Sequence, residues 1–216
     1  MLKPKDLKAR LAFAHKYLEW TDEWKQVLFS DEKKFTLDGP DGSRCSWKDK
    51  RAEKKVAETR HSCGGSLMVL AAFGYLGATE LAYIHRKSNS EDYQAILAEN
   101  LLPFIDRFGR ESVLFQQDNC RIHVSASSKK WFSTQKIELL GWPARSPDLN
   151  PIENLWGILV QKVYAGNRRF YSLNELGTSI QAAWKSIDQD ILNKLVDSMP
   201  KRLNDVIVAN GKSIDY

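Results

Sequence analysis

A loop interrupted by three prolines runs straight into a helix at Trp142-Pro143-Ala144-Arg145-Ser146-Pro147-Asp148-Leu149-Asn150-Pro151-Ile152-Glu153-Asn154-Leu155-Trp156. Asn150 suits an N-cap. Pro151 then falls at the first helical position, where its missing N–H is no loss and its φ is already helical. Glu153 comes three residues after the cap. A glutamate there can reach back to the cap's own N–H as a capping box. Alternatively, it is a carboxylate held at a helix start to bind a metal ion. The segment alone leaves both readings open.

The rest of the chain narrows the choice. It has 216 residues, 43% hydrophobic and 27% charged, enough for one domain with a sizeable core. No apolar run approaches the roughly 18 residues of a membrane helix. The N-terminus leads into a charged amphipathic helix, so no secretion signal is expected. Cys45, Cys63 and Cys120 lack C-x-x-C spacing, which argues against a disulfide framework and fits a reducing compartment. His61 and Cys63 are metal-ligand types without a second pair.

Net charge is +5, and most of it lies between Arg44 and Arg60, where seven basic residues face three acidic ones. Lys48, Lys50, Arg51, Lys54 and Lys55 form the centre of that stretch. Such a cluster suits a polyanion such as DNA, or is simply a solvated face.

Apolar periodicity predicts a helix over 5–19 and strands at 26–31 and 34–37. Turn chemistry at 38–42 predicts a hairpin with a strand at 43–47. A second hairpin is expected over 66–85, then a helix from Ser90, a strand at 112–118, a helix over 124–135 and a short strand at 137–140. Beyond Glu153 the pattern is helical, with Ser172 to Glu175 as a capping box and Gly211 as a helix stop. This order suits a mixed sheet with helices on both faces. The expected division is a helical lead-in over 1–25, a core over 26–165, and a helical extension of the same domain over 166–216.

Two buried strands end in aspartates, Asp31 and Asp118, and Glu153 follows 35 positions after Asp118. Strand ends are where α/β sheets build sites. Three converging carboxylates without a cationic partner would repel one another, and hard divalent cations resolve this. Two such ions about 4 Å apart can clamp the attacking and leaving oxygens of a phosphoryl displacement. The ordinary alternatives are a strand-end turn residue for Asp31 and a helix cap for Asp118 with Asn119.

Three segments also carry a family resemblance: Val27-Leu28-Phe29-Ser30-Asp31-Glu32-Lys33-Lys34-Phe35; Phe115-Gln116-Gln117-Asp118-Asn119 with His123; and Pro143 through Gly157. With them the chain resembles the catalytic domain of Tc/mariner-group DNA transposases, most nearly the nematode Tc subgroup. The likeness runs from about residue 5 to the C-terminus. It implies an RNase H-like fold: a mixed five-stranded sheet flanked by helices, with extra C-terminal helices. It implies Asp31, Asp118 and Glu153 as a catalytic, metal-binding triad using Mg2+ or Mn2+, with two ions. Cut-and-paste chemistry would follow: hydrolysis at transposon ends, then attack of the freed 3′-hydroxyl on a TA target. The implied partner is double-stranded DNA, bound by at least a dimer in the nucleus.

Asn119, His123 and Arg145 match positions near that active site. Each is a candidate DNA contact, with core packing for His123 and loop bracing for Arg145 as the alternatives. Trp142, Trp156 and Trp184 read as core rather than base-stacking residues. Leu70-Ala71 stands where the family usually has Trp-Gly, and local repacking is expected. No room precedes Asp31 for the paired-like helix-turn-helix region of such enzymes, so a catalytic domain or truncated copy without end recognition is expected. A domesticated DNA-binding or assembly module, or a nuclease that cuts without joining, are the competing readings.

Overall fold

The computed structural model describes residues 2–39, 65–84 and 88–215. The basic stretch and the expected strand at 43–47 lie outside the described residues, as do His61, Cys45 and Cys63.

The strands are β1 (Val27–Thr36), β2 (Ser66–Gly74), β3 (Gly77–Ala78), β4 (Ala82–Ile84), β5 (Leu114–Gln116) and β6 (Glu138–Leu140). The sheet order is β3-β2-β1-β5-β6, with β4 also paired to β2. β1 is antiparallel to β2 and parallel to β5, and β5 is parallel to β6. The mixed RNase H-like arrangement is therefore present, and among the described residues its five positions are filled by six strand segments. Thr79 accounts for the split edge. Its hydroxyl accepts the Ala72 N–H at 3.0 Å, and its carbonyl turns away to accept Trp184 Nε1–H at 2.9 Å. The ladder beside β2 is interrupted there and resumes at Ala82. The two strand segments expected at 26–31 and 34–37 are one continuous strand, so Asp31 lies at its middle, not its end.

Alternation along β1 and β2 divides the core. Val27, Phe29, Phe35, Val69, Ala71 and Phe73 join one apolar cluster, and Leu28, Leu70 and Ala72 join the other. Helices α1 (Pro4–Lys16), α5 (Ile152–Val163), α6 (Leu173–Lys185), α7 (Gln189–Asp197) and α8 (Met199–Val208) cover the first face. Helices α2 (Ser90–Asn100), α3 (Leu102–Ile105) and α4 (Ala126–Thr134) cover the second. A sheet buried on both faces needs apolar residues at every position of a central strand, which is why β2 reads as an unbroken apolar run. Leu70 and Ala71 sit in that strand, buried, with Ala71 paired to Asp31.

Candidate active site at the middle of β1 and beyond the end of β5

The parallel ladder pairs Val27 with Leu114, Leu28 with Phe115 and Phe29 with Gln116. Carrying that register forward by two residues sets Asp118 opposite Asp31. Two side-chain bonds extend the join past the ladder: Ser30 Oγ donates to the Gln116 carbonyl at 2.7 Å, and Gln116 Oε1 accepts the Ser30 N–H at 3.1 Å. The period of two puts Asp31 on the face covered by α5, and Glu32 on the face covered by α2.

Asn150 brings the third carboxylate to this place. Its Oδ1 accepts the Ile152 N–H at 3.3 Å, and its carbonyl accepts the Glu153 N–H at 3.1 Å. The cap is thus as expected from the sequence. Its Nδ2 does something further, donating to the Ser30 carbonyl at 3.1 Å. One buried amide therefore ties the start of α5 to the residue before Asp31. The capping-box reading of Glu153 fails, because the Asn150 N–H is already given to the Pro147 carbonyl at 2.9 Å.

Asn150→Ala should cost about 1–3 kcal/mol of stability, since it removes both a cap and a buried bond between elements. Asn150→Asp keeps the cap but loses the donor to Ser30, so it should retain part of that stability. Urea unfolding of the two variants measures the difference, and equal losses would remove Ser30 from the account.

Trp156 lies one helical turn beyond Glu153 on the same side of α5. It is fully buried, as expected for core, yet its Nε1–H also donates to Asp31 Oδ2 at 3.0 Å. Burial, then the Glu153 and Glu32 charges, push Asp31 up to about 7 despite that bond. Glu153 is thus close enough to be felt electrostatically.

Asp118 has the opposite environment. Its carboxylate is exposed and held below the usual range, chiefly by the hydrogen bond from His123. Its Oδ1 accepts from His123 Nδ1 at 2.7 Å and from the Cys120 N–H at 2.8 Å, which leaves Oδ2 open. The His123 ring is buried, packs on Tyr93 at 4.3 Å, and brings Nε2 within 3.1 Å of Glu32 Oε1 without the alignment of a hydrogen bond. Burial opposes charge on this ring, but Asp118 and Glu32, one at each nitrogen, raise it to about 10. Glu32 is the functional neighbour that sequence reasoning missed. Its adjacency to Asp31 was the available signal.

Of the remaining candidates, Asn119 is exposed and donates from Nδ2 to the Trp142 carbonyl at 2.9 Å. Arg145 is exposed, has φ of 57°, and lies 4.0 Å from Asp6. Trp142 packs edge-on against Phe13, and Trp184 lies tilted against Trp156 at 5.6 Å.

The loop that feeds α5 is clamped from three sides. Buried Arg10 on α1 forms a two-pronged ion pair with Asp148, and its Nε donates to the Gly211 carbonyl at 2.8 Å. Asp148 Oδ2 also accepts the Ile214 N–H at 3.0 Å. Arg202 on α8 donates to the Asp148 carbonyl and to Asn154 Oδ1. Gly211 has φ of 79°, and a Cβ there would meet the Leu7 carbonyl oxygen at 2.4 Å, so the segment after α8 can pack this tightly only with glycine at this position.

Asp31 accepts from the neutral indole of Trp156, Asp118 from His123, and Glu153 supplies a third carboxylate. An all-oxygen, anionic donor set of this kind fits a hard divalent cation. The family model described as DDE superfamily endonuclease matches residues 26–177. The chain belongs to this family. Tc3 transposase of Caenorhabditis elegans is 49% identical over 193 residues, covering 89% of this chain and 59% of that protein. Tc1 transposase of the same organism is 36% identical over 220 residues, covering 98% and 78%. Among solved structures, the Mos1 transposase paired-end complex with left transposon end superposes with a TM-score of 0.86 at 18% identity, covering 100% of this chain and 65% of that one. Mos1 mariner paired-end complexes have also been solved with Mn and with Mg. The chain thus spans 59% of the Tc3 protein and 65% of the Mos1 chain. At that identity the Mos1 likeness speaks for the fold, and it places this DDE-family chain in the architecture of the mariner catalytic domain.

Proposed function

We propose that this chain is the catalytic domain of a cut-and-paste DNA transposase, with Asp31, Asp118 and Glu153 as its metal-binding triad. The observation that carries the reading is the placing of Asp31 on β1 and Asp118 just beyond the adjacent parallel β5, with Glu153, at the start of α5, close enough to raise the Asp31 carboxyl. Mos1, which shares the fold, has been solved with Mg and with Mn, and this chain is read as using the same kind of ion, two at a time. When bound, such ions activate the attacking water or 3′-hydroxyl and stabilise the departing oxygen.

The protein's own part is to hold the oxygens. Trp156 fixes one oxygen of Asp31. His123 fixes one oxygen of Asp118 and turns the other outward. The first turn of α5 presents Glu153. DNA is read as being bound by the basic residues Lys48, Lys50, Arg51, Lys54 and Lys55, together with Asn119, His123 and Arg145. Most of these contacts would be to phosphates, so binding should weaken steeply with salt. Hydrolysis at transposon ends followed by joining into a TA target requires two ends to be paired, so the working form is at least a homodimer, acting in the nucleus.

The purified chain with Mg2+ or Mn2+ should nick DNA and join ends, and Asp118→Ala should abolish both. Cleavage that survives Asp118→Ala or persists in EDTA would overturn the metal assignment. Cleavage without joining would instead indicate a nuclease on the same scaffold. The absence of any activity in the unaltered chain would favour a binding or assembly module.

A further inference from the structure

We propose that Asp118, Cys120 and His123 form a site for a soft divalent cation such as Zn2+, which binds through sulfur and nitrogen and withdraws Asp118 from the triad. All three residues lie within one six-residue loop, and one ligand atom from each lies within 4.8 Å of the others. The loop is already shaped: Cys120 O accepts the His123 and Val124 N–H groups, and Gln117 Nε2 donates to the His123 carbonyl. Cys120 is exposed, so an ion can reach it from solvent.

The ligand chemistry separates this site from the proposed catalytic one. Mg2+ takes oxygen ligands, whereas thiolate and imidazole select Zn2+ and its heavier analogue Cd2+. The second nitrogen of the histidine supplies an independent sign. His123 is 3% exposed, and its buried Nε2, which makes no aligned hydrogen bond, faces Glu32 Oε1 at 3.1 Å. A histidine bound to zinc through one nitrogen typically gives its other N–H to a carboxylate. The cluster already holds that carboxylate on the correct side of the ring. A cation entering at Nδ1 would release the Nδ1 proton and the Cys120 thiol proton to solvent and replace the His123–Asp118 bond. The two atoms now 2.7 Å apart would open to about 3.4 Å, the separation set by tetrahedral bonds of about 2.1 Å. Side-chain rotation in an exposed loop supplies such a change. Water would fill the fourth position.

The inhibitory consequence rests on the triad assignment, but the binding does not. The test therefore reads the cation directly. Cd2+ is titrated into the full chain, without DNA and with Mg2+ in excess, while the ultraviolet thiolate-to-cadmium charge-transfer band is followed. The expected result is a saturable band that Mg2+ does not displace. Cys120→Ser should weaken it at least about ten-fold, and His123→Ala should weaken it by a comparable factor. No band in the unaltered chain, or a band of unchanged affinity in Cys120→Ser, overturns the proposal. The second outcome would place the cation on Cys45 or Cys63. Neither result depends on whether the triad cleaves DNA.

Discussion

Asp31→Asn is expected to abolish strand cleavage and, in the metal-free protein, to raise stability most at pH 8 and progressively less as pH falls toward 4. The reason is the burial of Asp31 beside Glu153 and Glu32, which raises its carboxyl from 3.8 to about 7. In the unfolded chain the same group titrates near the ordinary value. The folded state therefore holds the proton more tightly. The contribution of Asp31 to stability is fully present below about pH 4 and is lost as pH rises through about 7. The full shift corresponds to at most about 4 kcal/mol, and incomplete burial brings the working figure to about 2 kcal/mol. Asparagine keeps an oxygen for Trp156 Nε1–H and carries no charge to lose. It should recover about that amount at pH 8, a rise in melting temperature of roughly 4–8 °C. Mg2+ should stabilise the unaltered protein increasingly from pH 6 to 8, because it competes with that proton, and should stabilise Asp31→Asn far less. Equal thermal shifts with Mg2+ in the two proteins would remove Asp31 from the metal site.

Arg10→Ala should be the most damaging single change away from the carboxylates. Removing one partner of a buried ion pair leaves the other charge unpaired, at a cost of about 3–5 kcal/mol. Here Arg10 also supplies the Gly211 and Lys212 carbonyls with donors, so the high end applies. For a domain of this size the melting temperature should fall by roughly 10 °C or more. Asp148→Ala should behave alike, since it strands Arg10 and frees the Ile214 N–H. The double variant Arg10→Met with Asp148→Leu should be milder than the sum of the two singles. Thermal melts of the three proteins provide the check, and additive losses would mean the pair does not act as a unit. A Mg2+ titration of the double variant separates folding from aiming. If the clamp directs α5, Mg2+ affinity should fall even where stability has been restored.

Local chemistry made part of this architecture readable in advance. The cap at Asn150, the strands leading to Asp31 and Asp118, and the two-faced sheet all follow from short-range patterns of polarity and turn residues. What escaped was set by partners remote in the chain. Arg10 sits in a charged helix and reads as a solvated residue, and its partner Asp148 is 138 positions away. Thr79 splits an edge strand because its hydroxyl takes the place of a carbonyl, which no propensity conveys. Trp156 was legible as core, but its bond to Asp31 depends on how α5 crosses β1. Glu153 itself fitted two roles by spacing, and only the prior engagement of the Asn150 N–H with Pro147 rules one of them out.

The clamp also bears on the order in which the domain can assemble. Arg10 meets Gly211 across 201 positions and Lys212 across 202. Contacts of such separation carry a large loop-closure entropy and form late. A chain emerging from synthesis N-terminus first would have β1, β5 and both aspartates in hand long before residues 211–214 appear. Until then Asp148 lacks the Ile214 N–H, Arg10 lacks two of its acceptors, and the start of α5 is not yet locked. The loop that precedes Glu153 therefore gains its full set of clamping bonds only when residues 211–214 have docked on Arg10 and Asp148.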